Sequence, residues 1–384
     1  MTVRKKDRRK FIQSSLSTAA FMAFSPYNSL TFLTKREEEY CPKSNQTWIE
    51  IQDKIYGAKP GGLGPLGGGV GYKQAISTGT VIANNLDEFI KAVGEAKSGQ
   101  IVFVPGNAII DFTTYIYIDQ FVLEIPEGVT IASDRGINGS LGALLTSDAL
   151  KTPVMIRPQG PNVRISGFRI EGPNPKRYLE HHAKSFGPGG QRHEYYYKFP
   201  TSVGIECHFP KVEIDNCDLS GFSRAAISLK KGEDHMVHHN MIHKCQYNGL
   251  GYGISHDVAS STIEYNLFDE NRHSIAGTGK IGCSYIARHN VEMGTSLSHC
   301  FDMHGGRDRK DGTQIAGTNI EIYNNTFRAP EFAIGIRGKP ENESHIYQNW
   351  FVKHQLTDEA VRPYGFDNIT VFDNIYGKEP TAAK

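Results

Sequence analysis

No C-x-x-C pair occurs in the sequence, although it holds six cysteines (Cys41, Cys207, Cys217, Cys245, Cys283 and Cys300). Without close pairs a structural zinc site has no ligand framework, and the spacing specifies no disulfide. Apart from a weakly apolar run from Leu16 to Phe24, no stretch approaches the length that spans a bilayer. Net charge is nearly absent too: 42 Lys and Arg stand against 41 Asp and Glu. Six of those cations fall in the first ten residues, so the rest of the chain is mildly acidic. A nucleic-acid partner is therefore not expected, and an anionic ligand has to be held by a local patch. Leucine is sparse, which argues against a leucine-rich horseshoe.

What is present is a repeat. Seven segments share an apolar residue, an asparagine and a second apolar position: Val-Glu-Ile-Asp-Asn216, Val-His-His-Asn240, Ile-Glu-Tyr-Asn266, Ile-Ala-Arg-His-Asn290, Ile-Tyr-Asn-Asn325, Ile-Tyr-Gln-Asn349 and Val-Phe-Asp-Asn374. The asparagines are 24, 26, 24, 35, 24 and 25 residues apart. A period in the twenties marks a solenoid, and period-2 alternation of β-branched and aromatic residues makes the units strands. Asparagine recurs because stacked coils pair its amide with the coils above and below. The expected fold is all-β, a right-handed parallel β-helix. Five of the cysteines lie in the repeat and are expected as small core filler.

The basic start Lys5-Lys6-Asp7-Arg8-Arg9-Lys10-Phe11 resembles a twin-arginine export signal over residues 1–30. The expected destination is periplasmic or secreted. Residues 57–376 are expected to form a single domain. The glycine-rich stretch Gly61–Gly71 lacks G-K-[ST] and follows no strand, so it does not read as a phosphate cradle. It is expected at the blunt end of the solenoid. Asn84–Ala96 reads as a helix with Asn85 as cap, covering an open end of the core. Strands are expected at 101–104, 115–118, 122–125, 129–131, 154–156, 163–165 and 168–170.

The phrases Ile-Val-Phe-Val-Pro-Gly, Ile-Pro-Glu-Gly-Val-Thr-Ile-Ala-Ser-Asp-Arg-Gly and Val-Arg-Ile-Ser-Gly-Phe-Arg-Ile-Glu-Gly follow the helix in that order. They resemble the opening coils of pectate-lyase-like proteins over residues 77–172, and the repeat extends the likeness over 204–376. This resemblance implies the β-helix fold, in a superfamily that includes lyases, hydrolases, esterases and tailspikes. The chain departs from the calcium-dependent members, because no aspartate cluster on adjacent strands suggests a calcium cage. No cofactor is expected, and no metal ligands are assigned.

Two insertions break the period. Residues 173–203 carry His181, His182, Lys184, His193, Tyr195, Tyr196 and Tyr197. Residues 305–316 carry Arg307, Arg309 and Lys310. Both are basic, as the walls of an anion-binding cleft would be. Between them, the strands after each asparagine turn align as Ala226–Lys230, Gly253–Asp257, Ser274–Thr278, Cys300–His304, Ala333–Arg337 and Ala360–Tyr364. The second residue is always apolar and points inward, so the third and fifth point outward. One outward column is then Ser228, Ser255, Ala276, Asp302, Gly335 and Arg362. The other is Lys230, Asp257, Thr278, His304, Arg337 and Tyr364. His256 and His273 flank the strip, and a register shift of one residue turns them inward.

An exported β-helix with a cationic groove suits a linear acidic polysaccharide, and a monomer is expected. Cleaving a uronan by β-elimination needs a cation on the C6 carboxylate, a base for the C5 proton and an acid for the departing O4. Lys230, His256, His273 and His304 are candidate bases, and the Tyr195–Tyr197 run offers acids. Arg307 and Arg337 are candidate carboxylate neutralisers. His193, Tyr196, Tyr197, His256, Asp257, Asp302, Arg307 and Arg309 are expected to bind substrate. The set is similar to that of β-helix alginate (poly-mannuronate) lyases. That resemblance implies Lys230 as base and Tyr195 as acid, a role Tyr196 or Tyr197 could also fill; His256, His273 and His304 are expected to position the sugar or to substitute in the acid–base roles. A second reading is a hydrolase using Asp257 and Asp302, roughly 9–10 Å apart by strand spacing. A third is a non-catalytic glycan-binding protein, whose mark would be an aromatic face without clustered titratable groups.

Overall fold

A computed structural model describes residues 46–174, 179–196, 198–246, 250–363 and 368–378. The export-signal segment and Cys41 lie outside the described residues. From Thr47 onward the chain winds as a right-handed parallel β-helix, with an 18-stranded sheet, a 10-stranded sheet and one small hairpin. Every pairing within the two large sheets is parallel, as between Glu213–Asp215 and the end of Ala225–His238. Isoleucine stacks on isoleucine because the apolar position recurs once per coil. Ile156, Ile205, Ile227, Ile254, Ile275, Phe301, Ile334 and Val361 are consecutive register partners, and all are buried. Cys207, Cys217, Cys245, Cys283 and Cys300 are free and buried in the same core. Among the described residues no helix is long and apolar enough to cross a membrane.

The asparagine ladder runs through the turns between the two sheets. Asn240 Nδ2 donates to Asn266 Oδ1 at 3.0 Å, and the same link joins Asn266 to Asn290, Asn290 to Asn325, Asn325 to Asn349 and Asn349 to Asn374. The residue before each rung is left-handed: His239, Tyr265, His289, Asn324, Gln348 and Asp373 have φ between 49° and 55°. Asn216 is a correction. It is itself left-handed, at φ 53°, and its rung is taken by Cys217, whose N–H donates to Asn240 Oδ1 at 2.8 Å. Asparagine suits both the left-handed turn and the rung, so sequence alone shifted the first repeat by one.

The N-terminal part supplies further corrections. The glycine-rich loop does not sit at the blunt end. It runs along the flank, where Gly67 N–H donates to the Tyr265 carbonyl at 2.8 Å and Gly69 N–H to Asn216 Oδ1 at 2.8 Å. Gly68 is left-handed at φ 70°, and a Cβ there would run into the His239 carbonyl and Asn216. The capping helix forms over Leu86–Glu95, with Asn85 Oδ1 accepting the Glu88 N–H at 3.0 Å. Tyr115–Ile118, read as a strand from its alternation, lies in the helix Thr113–Asp119. Asp111 caps that turn through the Thr113 N–H, Ile116 is the one residue buried, and Tyr115 bonds Asp87 of the capping helix.

Candidate active site

The strand alignment places the candidate residues as the register dictates. Ser228 pairs with Ser255, Ser255 with Ala276, Ala276 with Asp302, Asp302 with Gly335 and Gly335 with Arg362. One coil earlier the column begins with Glu206, salt-bridged to Arg157 at 3.1 Å. The neighbouring column carries Lys230, Asp257, Thr278, His304 and Arg337, all half-buried. Coils are about 4.8 Å apart. Lys230 and His304 are three coils apart, so about 14 Å separates them on the face. The face therefore carries two clusters, not one.

The first cluster surrounds Lys230. Its amine makes no hydrogen bond among the described residues, and Glu206, Arg224, Asp257 and Lys280 are the charges around it. Burial and then Arg224 push the amine below the ordinary lysine value, against the pull of Glu206 and Asp257. Asp257 is not free: its Oδ1 pairs with Lys280 Nζ at 2.7 Å and accepts from Thr278 Oγ1 at 3.2 Å.

The second cluster is built on Asp302, which is fully buried. Arg337 grips it with Nε on Oδ1 at 3.1 Å and Nη2 on Oδ2 at 2.8 Å. His304 Nε2 stands 3.0 Å from Oδ2, His273 Nε2 3.7 Å from Oδ2 and His299 Nδ1 3.8 Å from Oδ1. Burial works to raise the Asp302 carboxyl, but the flanking histidines and Arg337 outweigh it and hold it well below the usual carboxylate range. Burial and then Arg272 push His273 well below the ordinary histidine value, against the pull of Asp302 and the His299 carbonyl.

A stack of rings that sequence reasoning missed runs along the second cluster. Tyr252 stacks on His273 with centroids 5.7 Å apart, and His273 on His299 at 6.0 Å. His299 is followed by Phe332 at 6.0 Å, and Arg362 caps Phe332 at 3.3 Å. These residues each precede the aligned strand by one position. At the other end Arg272 lies over Tyr252 and over Phe186 of the first insertion, 4.5 Å from the latter's centroid.

The first insertion folds as two helices, Leu179–Phe186 and His193–Tyr196. Phe186 stacks on Tyr196 at 5.5 Å, and Tyr195 Oη pairs with His181 Nδ1 at 2.7 Å. The side chain of His193 and the whole of Tyr197 lie outside the described residues. The second insertion carries the helix Gly306–Arg309. Its Asp308 holds Arg337 Nη1 at 3.0 Å. A cleft of about 780 Å³ opens here, lined by Arg307, Lys310, Gln314 and Arg337 among others.

Three expectations need correction. His256 does not face the groove: it occupies the inward column of Leu229, Gly277 and Met303. There its Nδ1–H reaches the Ala276 carbonyl and its Nε2 accepts from Ser261 Oγ at 2.7 Å, and burial pushes it down to about 3. Arg309 is a strut, with its guanidinium on the Thr278 and Ile315 carbonyls and on Asp311. Arg337 and Arg307 stand about four coils from Lys230, too far to neutralise the carboxylate of a sugar that Lys230 deprotonates.

No protein-family model matches the chain, and no curated protein matches it. Solved structures of similar architecture exist. The catalytic unit of a GH87 α-1,3-glucanase from Streptomyces thermodiastaticus is 14% identical with a TM-score of 0.40, over 78% of this chain and 57% of that one. This chain thus spans little more than half of that protein's length. Pectin methylesterase PemA from Erwinia chrysanthemi is 8% identical with a TM-score of 0.38, over 80% and 92% of the two chains. A family 28 exopolygalacturonase from Yersinia enterocolitica is 12% identical with a TM-score of 0.37, over 80% and 66%. Likenesses this distant bear on neither reaction nor substrate.

Proposed function

We propose that the protein is a polysaccharide lyase that cleaves a uronic-acid polymer by β-elimination, with Lys230 as the base. The supporting observation is the state of Lys230: half-buried, without a hydrogen-bond partner among the described residues, and depressed below the ordinary lysine value. Such an amine is more often neutral than a surface lysine and keeps a lone pair for the C5 proton. As that C–H bond breaks, its electrons form the C4–C5 double bond and the C4–O4 bond releases the leaving chain. Tyr195, in the insertion anchored beside these coils, is the acid that protonates O4. Arg224, one of the charges around Lys230, replaces Arg337 as the neutraliser of the C6 carboxylate. Arg307 and Lys310 serve a distant carboxylate of the same polymer.

The hydrolytic reading fits less well. It needs one of Asp257 and Asp302 to be a protonated acid. Asp302 is held ionised by its partners and Asp257 is ion-paired with Lys280. In the test, Lys230→Ala is expected to lower turnover of a uronan by about 100-fold or more while its circular dichroism stays unchanged. Tyr195→Phe is expected to lose a similar factor. Near-normal turnover in Lys230→Ala sinks the assignment.

A further inference from the structure

The Asp302 cluster has chemistry that the lyase reading leaves unused. His273 is fully buried, and its two ring nitrogens have different surroundings. Nδ1 lies 2.6 Å from the His299 carbonyl, which only accepts, so Nδ1 carries the hydrogen. Nε2 has no hydrogen-bond partner among the described residues, and it faces the carboxylate oxygen Oδ2 of Asp302 at 3.7 Å. A buried ring nitrogen left without a partner is costly, and a metal ion between it and the carboxylate would satisfy it.

A third donor completes the set. His299 Nδ1 lies 3.8 Å from Asp302 Oδ1, and the ligand atoms of His273, His299 and Asp302 all fall within 4.8 Å of one another. A tetrahedral ion with bonds of about 2.1 Å spaces its ligands about 3.4 Å apart, so the widest of these separations must draw in by as much as about 1.4 Å to close around a metal. The surrounding contacts are those of a ligand shell. The His273 Nδ1–H is fixed by a carbonyl, and Arg337 and His304 orient the carboxylate while using three of its roughly four lone-pair sites. Gly335 makes room for the His299 ring, since a Cβ there would stand 2.9 Å from His299 Cδ2.

We propose that His273, His299 and Asp302 bind one borderline divalent transition ion of the Zn²⁺ class, with His304 beside the remaining side. Two imidazoles and one carboxylate suit zinc, cobalt or nickel and not calcium or magnesium, which require oxygen donors. The ion ties the coil of His273 to the coil of His299 and Asp302. This site is separate from Lys230 and does not rest on the lyase assignment.

The test uses the full chain, stripped with a chelator and dialysed against Zn²⁺, with Co²⁺ as a spectroscopic probe and Ca²⁺ and Mg²⁺ as controls. Saturable Zn²⁺ binding that raises Tm, and visible Co²⁺ bands of a nitrogen–oxygen tetrahedral site, are expected. His299→Ala is expected to weaken that binding by about 100-fold or more, beyond the 10–100-fold typical of an outer-shell partner. Gly335→Ala keeps every donor but pushes the His299 ring aside, and it is expected to weaken binding as well. Lys230→Ala is expected to bind Zn²⁺ as the wild type does, so failure of the lyase reading and failure of the metal site register separately. Three results overturn the proposal: no saturable Zn²⁺ binding, tighter binding of Ca²⁺ than Zn²⁺, or Zn²⁺ affinity unchanged in both the His299 and Gly335 variants.

Discussion

Two buried carboxyls show how differently one group behaves in two settings. Asp302 has Arg337 and is held ionised. Removing its partner strands a buried charge, so Arg337→Ala is expected to cost about 3–5 kcal/mol in urea unfolding. Asp302→Asn, which removes the charge as well, is expected to cost less. Glu292 is the opposite case. It lies among core rings, between Phe268 and Phe327 in register, and Ser274 sits beside it without reaching hydrogen-bond geometry. Burial, with Asp269 and Glu331 nearby, raises its carboxyl well above the usual range. A raised folded-state pKa gives stability that is full below the unfolded value, about 4.3, and is lost as pH climbs toward the folded value. Glu292→Gln is therefore expected to raise Tm near neutral pH and to lose that advantage in acid. A Tm gain that stays constant from acid to neutral pH would contradict this.

At the scale of elements, the asparagine ladder carries the turns. Asn290 Oδ1 accepts from the Asn266 N–H and Nδ2, each at 3.0 Å, while its own Nδ2 donates to the Ile263 carbonyl and Asn325 Oδ1. Asn290→Ala strands several buried groups and is expected to cost about 2–4 kcal/mol. Asn374→Ala, at the last and part-exposed rung, is expected to cost clearly less in the same denaturation series. This ladder was legible in the sequence because each rung must recur once per coil. The Asn216 rung was misread by one because the left-handed turn before it also accepts asparagine. Tyr115–Ile118 was misread because alternation was judged without its Asp111 cap. The outward columns from Lys230 to Arg337 were legible because an inward apolar residue fixes their parity. The ring stack through Tyr252, His273, His299 and Phe332 was not, because these residues stand at or just before the start of each strand, where parity no longer tells the direction of a side chain. The pairing of Asp302 with Arg337 crosses two columns and leaves no local trace in the sequence.

From Thr47 onward one sheet face carries two charged clusters, around Lys230 and around Asp302, three coils apart. The strand that follows the Tyr195 insertion, Val203–Cys207, pairs with the strand that carries Lys230, and Arg337 lies under the Arg307 insertion. The separation of about 14 Å or more between the clusters suits a polymer laid across several coils better than a small molecule held at one point. The central claim is that the polymer is broken by elimination. The most direct measurement follows ultraviolet absorbance of the C4–C5 double bond while the protein is incubated with alginate, poly-mannuronate, polygalacturonate, glucuronan, chondroitin and hyaluronan in turn. Reducing ends are counted in the same samples. A rise in absorbance matching the new reducing ends, with one polymer and not with Lys230→Ala, is the predicted result. New reducing ends without that absorbance would contradict the account and move the chemistry to hydrolysis.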